Sequence, residues 1–193
     1  LSILPLLLLL AFFAWNTQIS RAAGTAITVT NLDDTGAGSL RQAIADIERA
    51  GVITIDPSLS GGTIVNSGAL NIRKAITIQS SIPISISGDN KDRVFTIQGG
   101  AYYATNRTVI LDGLTIRDGN TNGGGGGILN EDYILTIKNS TLISNTSGYR
   151  GGAILNKGAG LLTVRDNSLV QNNSAAGGGG GIYSNAETVV KII

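Results

Sequence analysis

Asp112, Asp118, Lys138 and Arg165 are the only side chains whose types and spacing suggest an active site. Clustered carboxylates can hold Ca²⁺ beside an Arg or Lys base, and paired carboxylates can hydrolyse a glycosidic bond, neither of which needs histidine. Aligning Leu111 with Ile137 and Val164 stacks Asp112, Lys138 and Arg165 in one outward column. One acid over two bases lacks the further carboxylates on adjacent coils that either chemistry requires. Solvent-facing charge pairs contribute about 0 to 1 kcal/mol and keep a surface soluble, which is the reading this column favours. No catalytic, cofactor-binding or metal-binding residue is assigned, and no cofactor is expected.

Other chemistries fall away by residue type. The chain has no His, Cys or Met, and its one Trp, Trp15, lies in an apolar leader. Thiol nucleophiles, Cys/His zinc sites and His-dependent triads are therefore excluded within this segment, and stability must come without disulfides. The glycine runs 123–127 and 177–181 invite comparison with phosphate cradles. They lack the Gly-Lys-Ser/Thr ending of a P-loop and no long helix follows, so the expectation is a tight corner where glycine allows positive φ and close backbone approach. Tyr102 and Tyr103 offer aromatic faces to a sugar, yet adjacent residues on a strand point to opposite sides.

The elements that would position these residues follow from an internal repeat. Ile128, Ile154 and Ile182 each follow a glycine-rich stretch, 26 and 28 residues apart. Leu135-Thr136-Ile137 returns as Leu162-Thr163-Val164 after 27. A third piece, Thr141-Leu142-Ile143-Ser144-Asn145, returns as Ser168-Leu169-Val170-Gln171-Asn172. Each piece has the short apolar or alternating pattern of a strand, with Gly, Asn, Asp and Ser between. Three strands in a period of 26–28 residues predict an all-β solenoid, a right-handed parallel β-helix whose inward side chains stack from coil to coil. Asn130, Asn156 and Asn185 make one recurring set and Asn145 and Asn172 another, expected to stack architecturally. Looser pieces at Leu70-Asn71-Ile72, Ile76-Thr77-Ile78, Ile84-Ser85-Ile86, Val94-Phe95-Thr96-Ile97 and Val109-Ile110-Leu111 extend the coils upstream.

Residues 1–15 are almost wholly apolar, and a polar run then leads to Ala22, Ala23 and Gly24. Fifteen residues fall short of the roughly 20 a membrane span needs, so residues 1–22 read as a secretory signal cut at its start, with cleavage after Ala22. Losing Arg21 brings the 14 basic residues level with the 13 acidic ones. A neutral chain without a basic cluster excludes nucleic acid as a partner. Residues 23–68 read as an amino-terminal cap with a strand at Ala26-Ile27-Thr28-Val29 and an amphipathic helix over 39–50. Ser39 and Gln42 form a capping box, and the Leu40/Ile44/Ile47 face plugs the first coil. Residues 69–193 form the coils, expected to continue past Ile193.

Gly151-Gly152-Ala153-Ile154 resembles the GGAI motif of the polymorphic outer-membrane protein repeats of chlamydial surface autotransporters. The companion FxxN motif is similar to Leu142-Ile143-Ser144-Asn145 and Leu169-Val170-Gln171-Asn172, with Leu for Phe. Ile27-Thr28-Val29-Thr30, the stretch from Gly38 to Ile44, and Ile53-Thr54-Ile55-Asp56-Pro57 resemble bacterial exported proteins with a CSLREA-type amino-terminal region. Gly38 stands for that motif's Cys and Gln42 for its Glu. The resemblance implies a right-handed parallel β-helix outside the cell, with membrane attachment only through a carboxy-terminal anchor beyond this segment. It further implies adhesion or surface display toward a host surface, extracellular matrix or glycans. The competing expectation is a pectate-lyase-like polysaccharide enzyme on the same fold.

Overall fold

The computed structural model describes residues 25–99, 107–185 and 190–192; the leader and Tyr102-Tyr103 lie outside the described residues. Strands of two to five residues alternate with turns, and each pairs in parallel with its counterpart one coil away. The first sheet has seven strands: Ala26–Val29, Gly51–Ile55, Ile76–Gln79, Thr108–Asp112, Ile134–Lys138, Leu161–Arg165 and Val190–Ile192. The second stacks Thr63–Val65, Ser85–Ser87, Thr115–Arg117, Thr141–Ile143 and Leu169–Gln171. The third stacks Leu70–Ile72, Phe95–Ile97, Ile128–Glu131, Ile154–Lys157 and Ile182–Ser184. The chain thus winds about 6 turns as a parallel β-solenoid, and parallel crossovers of this kind are right-handed. Strands Gly51–Ile55 and Thr63–Val65, within the 23–68 cap, already belong to these sheets.

Alternation builds the core directly, because every second residue points inward and parallel register places like over like. In the first sheet Ile53, Ile78, Leu111, Ile137 and Val164 form one inward column, each at most 4% exposed. Ile64, Ile86, Ile116 and Leu142 do the same in the second sheet, and Leu70, Phe95, Ile128 and Ile154 in the third. These columns merge into one hydrophobic cluster. Burying each such side chain is worth about 1.5 to 3 kcal/mol. Turns rely on left-handed backbone: among the described residues, apart from Ala50 and Ser144, the non-glycine residues at positive φ are Asp or Asn, including Asp118, Asp132, Asn139 and Asn172.

Two details differ from the sequence pattern. A fourth sheet of two-residue strands, Asn120–Thr121, Thr146–Ser147 and Ser174–Ala175, adds a fourth strand to three of the coils. Its polar residues carry no apolar alternation, so the period suggested three. The last coil also slips by one position: Thr141 pairs with Leu169 and Leu142 with Val170. Val170 therefore follows the inward column while Leu169 is 52% exposed, and the counterpart of Asn145 is Asn173 rather than Asn172. In the third sheet the residue over Asn156 is likewise Ser184, not Asn185.

The cap helix spans Leu40–Asp46, shorter than the 39–50 pattern, because Ile47 already has extended ψ. Ser39 accepts the Gln42 amide at 3.2 Å as the capping box requires. The return bond is absent, since the Gln42 side chain donates to Asp46 instead at 2.8 Å and the Ser39 amide donates to Gly36. Leu40, Ala43, Ile44 and Ile47 are buried in the core cluster, and the helix packs against strands Ala26–Val29 and Leu70–Ile72.

Arg41 pins this cap to the coils. It grips Asp34 through Nη2 at 2.6 Å and Nε at 3.0 Å, and donates to the carbonyls of Gly68 (2.7 Å) and Ala69 (3.0 Å). Burial alone would raise the Asp34 pKa, but the Ser67 hydroxyl and the Arg41 guanidinium outweigh it and hold the carboxyl below its ordinary 3.8. A carboxyl whose folded pKa is depressed stabilises the fold above its unfolded pKa, and that contribution disappears as pH falls through the folded value. Thermal melts from pH 7 to pH 2 should therefore show wild type losing its advantage over Asp34→Asn below about pH 4. A constant difference across that range would mean that Asp34 contributes nothing through its charge.

Candidate functional site

Asp112, Lys138 and Arg165 stack in the predicted outward column at the end of the first sheet. Their charges are occupied within the protein. Lys138 Nζ lies 2.9 Å from Asp112 Oδ2, and Asn139 Nδ2 donates to Asp112 Oδ1 at 2.9 Å. Burial pushes the Asp112 pKa up, but the Asn139 bond together with Lys138 and Arg165 brings it below the usual carboxylate range, so the group stays ionised. Arg165 turns to its neighbour Asp166.

Asp118 is not brought to this column. It follows strand Thr115–Arg117 of the second sheet, at φ 51°, and pairs with Arg117 while accepting the Ser87 hydroxyl. Its type suits the left-handed turn it occupies. Glu131 and Lys157 form another coil-to-coil pair at 3.1 Å. Among the described residues no three carboxylates gather where they could hold a metal ion.

The glycine runs have the architectural role expected of them. The amides of Gly125, Gly126 and Gly127 donate to carbonyls of the next coil at 2.9 to 3.3 Å, so these three are directed at neighbouring backbone and not at an anion. Gly125, Gly151 and Gly179 take φ of 72°, 66° and 62° at equivalent corners. Arg93 clamps the first run, donating to the carbonyls of Gly124 and Gly125 at 2.7 Å each. The asparagines form internal ladders: Asn130 Nδ2 donates to Asn156 Oδ1 at 2.7 Å, and Asn156 Nδ2 to the Ser184 hydroxyl at 3.2 Å.

Three surface features had no signal in the sequence, because each joins residues of different coils. Arg150 lies between the rings of Tyr149 and Tyr183, 4.8 and 4.5 Å from their centroids, and donates to the Tyr183 hydroxyl at 2.6 Å. A depression of about 400 Å³ between the third and first sheets is lined by Arg73, Arg107, Glu131 and Asp132. A longer groove follows the corner between the first and second sheets. It comprises two depressions of about 250 and 510 Å³ that share Ser80, Ser81 and Asp112.

No known protein family, curated protein or solved structure matches the chain. Fold and surface together define the class: a parallel β-helix repeat protein with paired charges on its outside and a polar groove along one corner.

Proposed function

We propose that this chain is an exported β-helix module for adhesion or display at the cell surface or in the surrounding medium, with no catalysis in this segment. The observation that carries the reading is the outer face of the seven-stranded sheet. Its register holds Thr28, Thr54, Gln79, Asp112, Lys138 and Arg165 in one outward row, a regular polar surface repeated from coil to coil. The apolar leader of residues 1–22 supports export, and the GGAI-like repeats and CSLREA-like amino-terminal region support kinship with bacterial surface proteins. A host surface, extracellular matrix or glycans are the partners this reading anticipates.

Export is tested by expressing the natural gene in a bacterial host and treating intact cells with protease. The reading expects the β-helix in the medium or digested on the cells. Protein found intact and only in the cytosol would overturn it. The Asp112 carboxylate beside an open groove gives the polysaccharide-enzyme reading its one specific support. Release of reducing ends or unsaturated products from polysaccharide by the purified chain, lost in Asp112→Asn, would favour that alternative.

A further inference from the structure

We infer that the groove at the corner between the first and second sheets binds a neutral, hydroxyl-rich glycan chain, and so names the partner class for the display reading on which it rests. The groove reaches from Thr54 and Ile55 of the first complete coil to Asn139 and Thr141 three coils later. Three inter-strand steps span about 14 Å, which suits a short run of sugar units rather than a single small ion.

Its lining carries the argument. The side chains of Gln79, Ser81, Thr115 and Thr141 border the groove and have no side-chain hydrogen-bond partner among the described residues. Hydroxyls and amides of this kind both donate and accept, matching the mixed demand of sugar hydroxyls. Ile82 and Pro83, on the same wall, provide apolar surface for the C–H faces of a pyranose.

The charge pattern selects a neutral chain over an anionic one. Among the described residues Asp112 is the only charged side chain lining either depression. Its charge is offset by Lys138 at 2.9 Å, so the groove lining offers no unpaired cation to attract carboxylates or sulfates, while each Asp112 oxygen keeps acceptor capacity beyond the bonds from Lys138 and Asn139. A peptide adding itself as a strand is disfavoured, because the strands bordering the groove at Thr108–Asp112 and Thr115–Arg117 are already paired on both sides.

The test is calorimetric titration of the full chain with cellopentaose, xylopentaose, mannopentaose and maltopentaose, and with trigalacturonate as the anionic counter-probe. At least one neutral pentasaccharide should bind. Ser81→Trp, at an exposed position, should block the groove and weaken binding more than tenfold. Thr115→Val, which removes one hydroxyl at nearly constant shape, should weaken it by about fivefold to tenfold. Both variants should keep the wild-type melting temperature; if Ser81→Trp lowers it, Thr115→Val alone decides.

No binding of any neutral pentasaccharide at millimolar concentration would overturn the inference. So would binding indifferent to Thr115→Val, or trigalacturonate binding more tightly than the neutral sugars. Titration of purified protein is independent of export, so surface-exposed protein that binds no neutral sugar sinks this inference alone, and sugar binding by a cytosolic protein sinks the display reading alone.

Discussion

Gly152→Ala should destabilise the protein by about 3 kcal/mol or more, while Gly123→Ala, in the preceding glycine run, should change stability by less than about 1 kcal/mol. A Cβ on Gly152 would sit 2.2 Å from the Gly180 carbonyl oxygen, 2.4 Å from that of Ser174 and 2.6 Å from the Ser174 nitrogen. All three atoms are backbone of the next coil, so no side chain can swing aside. That coil is held by the ladder from Thr146–Ser147 to Ser174–Ala175 and by bonds from Gly152 to Gly179 and from Ala153 to Gly181. Relief requires lifting the coil, which lengthens these bonds together. A Cβ on Gly123 meets nothing closer than Arg93 Nη2 at 3.5 Å, an ordinary contact. Urea unfolding midpoints of the two variants provide the check, and equal midpoints would refute the close-packed corner. Amide exchange should further localise the Gly152→Ala damage to residues 169–185.

The contrast between these glycines marks how far the sequence could be read. The runs announced a corner, but which glycine faces backbone at 2.2 Å depends on coil-to-coil register. Register was legible where apolar alternation was clean, as for Leu111, Ile137 and Val164, and with it the Asp112/Lys138/Arg165 column. It failed by one residue in the last coil. There Leu169 and Val170 are both apolar and adjacent, so alternation alone cannot choose which points inward, and pairing puts Val170 over Leu142. The fourth sheet was invisible for a related reason: Asn120, Thr146 and Ser174 have no hydrophobic partner that marks a strand. The groove draws on Ser81, Asp112, Thr115 and Thr141, which lie in three successive coils of unequal length. No period connects them, and their hydroxyls have ordinary turn and strand roles when read one at a time.

Asn145→Leu should cost about 3 to 5 kcal/mol despite replacing a polar residue in an aliphatic interior by a side chain of nearly the same shape. Asn145 is fully buried, and its side-chain amide binds the coils on both sides of its own. Oδ1 accepts the Gly119 amide at 2.9 Å, while Nδ2 donates to the Ile116 carbonyl at 3.1 Å and to Asn173 Oδ1 at 3.0 Å. Leucine restores apolar contact but leaves the Gly119 N–H in a dry corner, where Gly126 O crowds the same glycine and excludes a substitute side chain. Each buried group left without a partner costs about 1 to 3 kcal/mol, which exceeds the gain from one more aliphatic side chain. Asn120→Ala offers the control, since Asn120 is exposed and its side chain makes one bond among the described residues, to the Asn90 carbonyl at 3.1 Å; its loss should cost less than about 1 kcal/mol. Because Asn145 and Asn173 share a bond, Asn145→Leu with Asn173→Leu should be less destabilising than the two single losses added together. Denaturant midpoints for the four variants decide the matter: strict additivity, or a neutral Asn145→Leu, would show that the stacked asparagines do not tie one coil to the next.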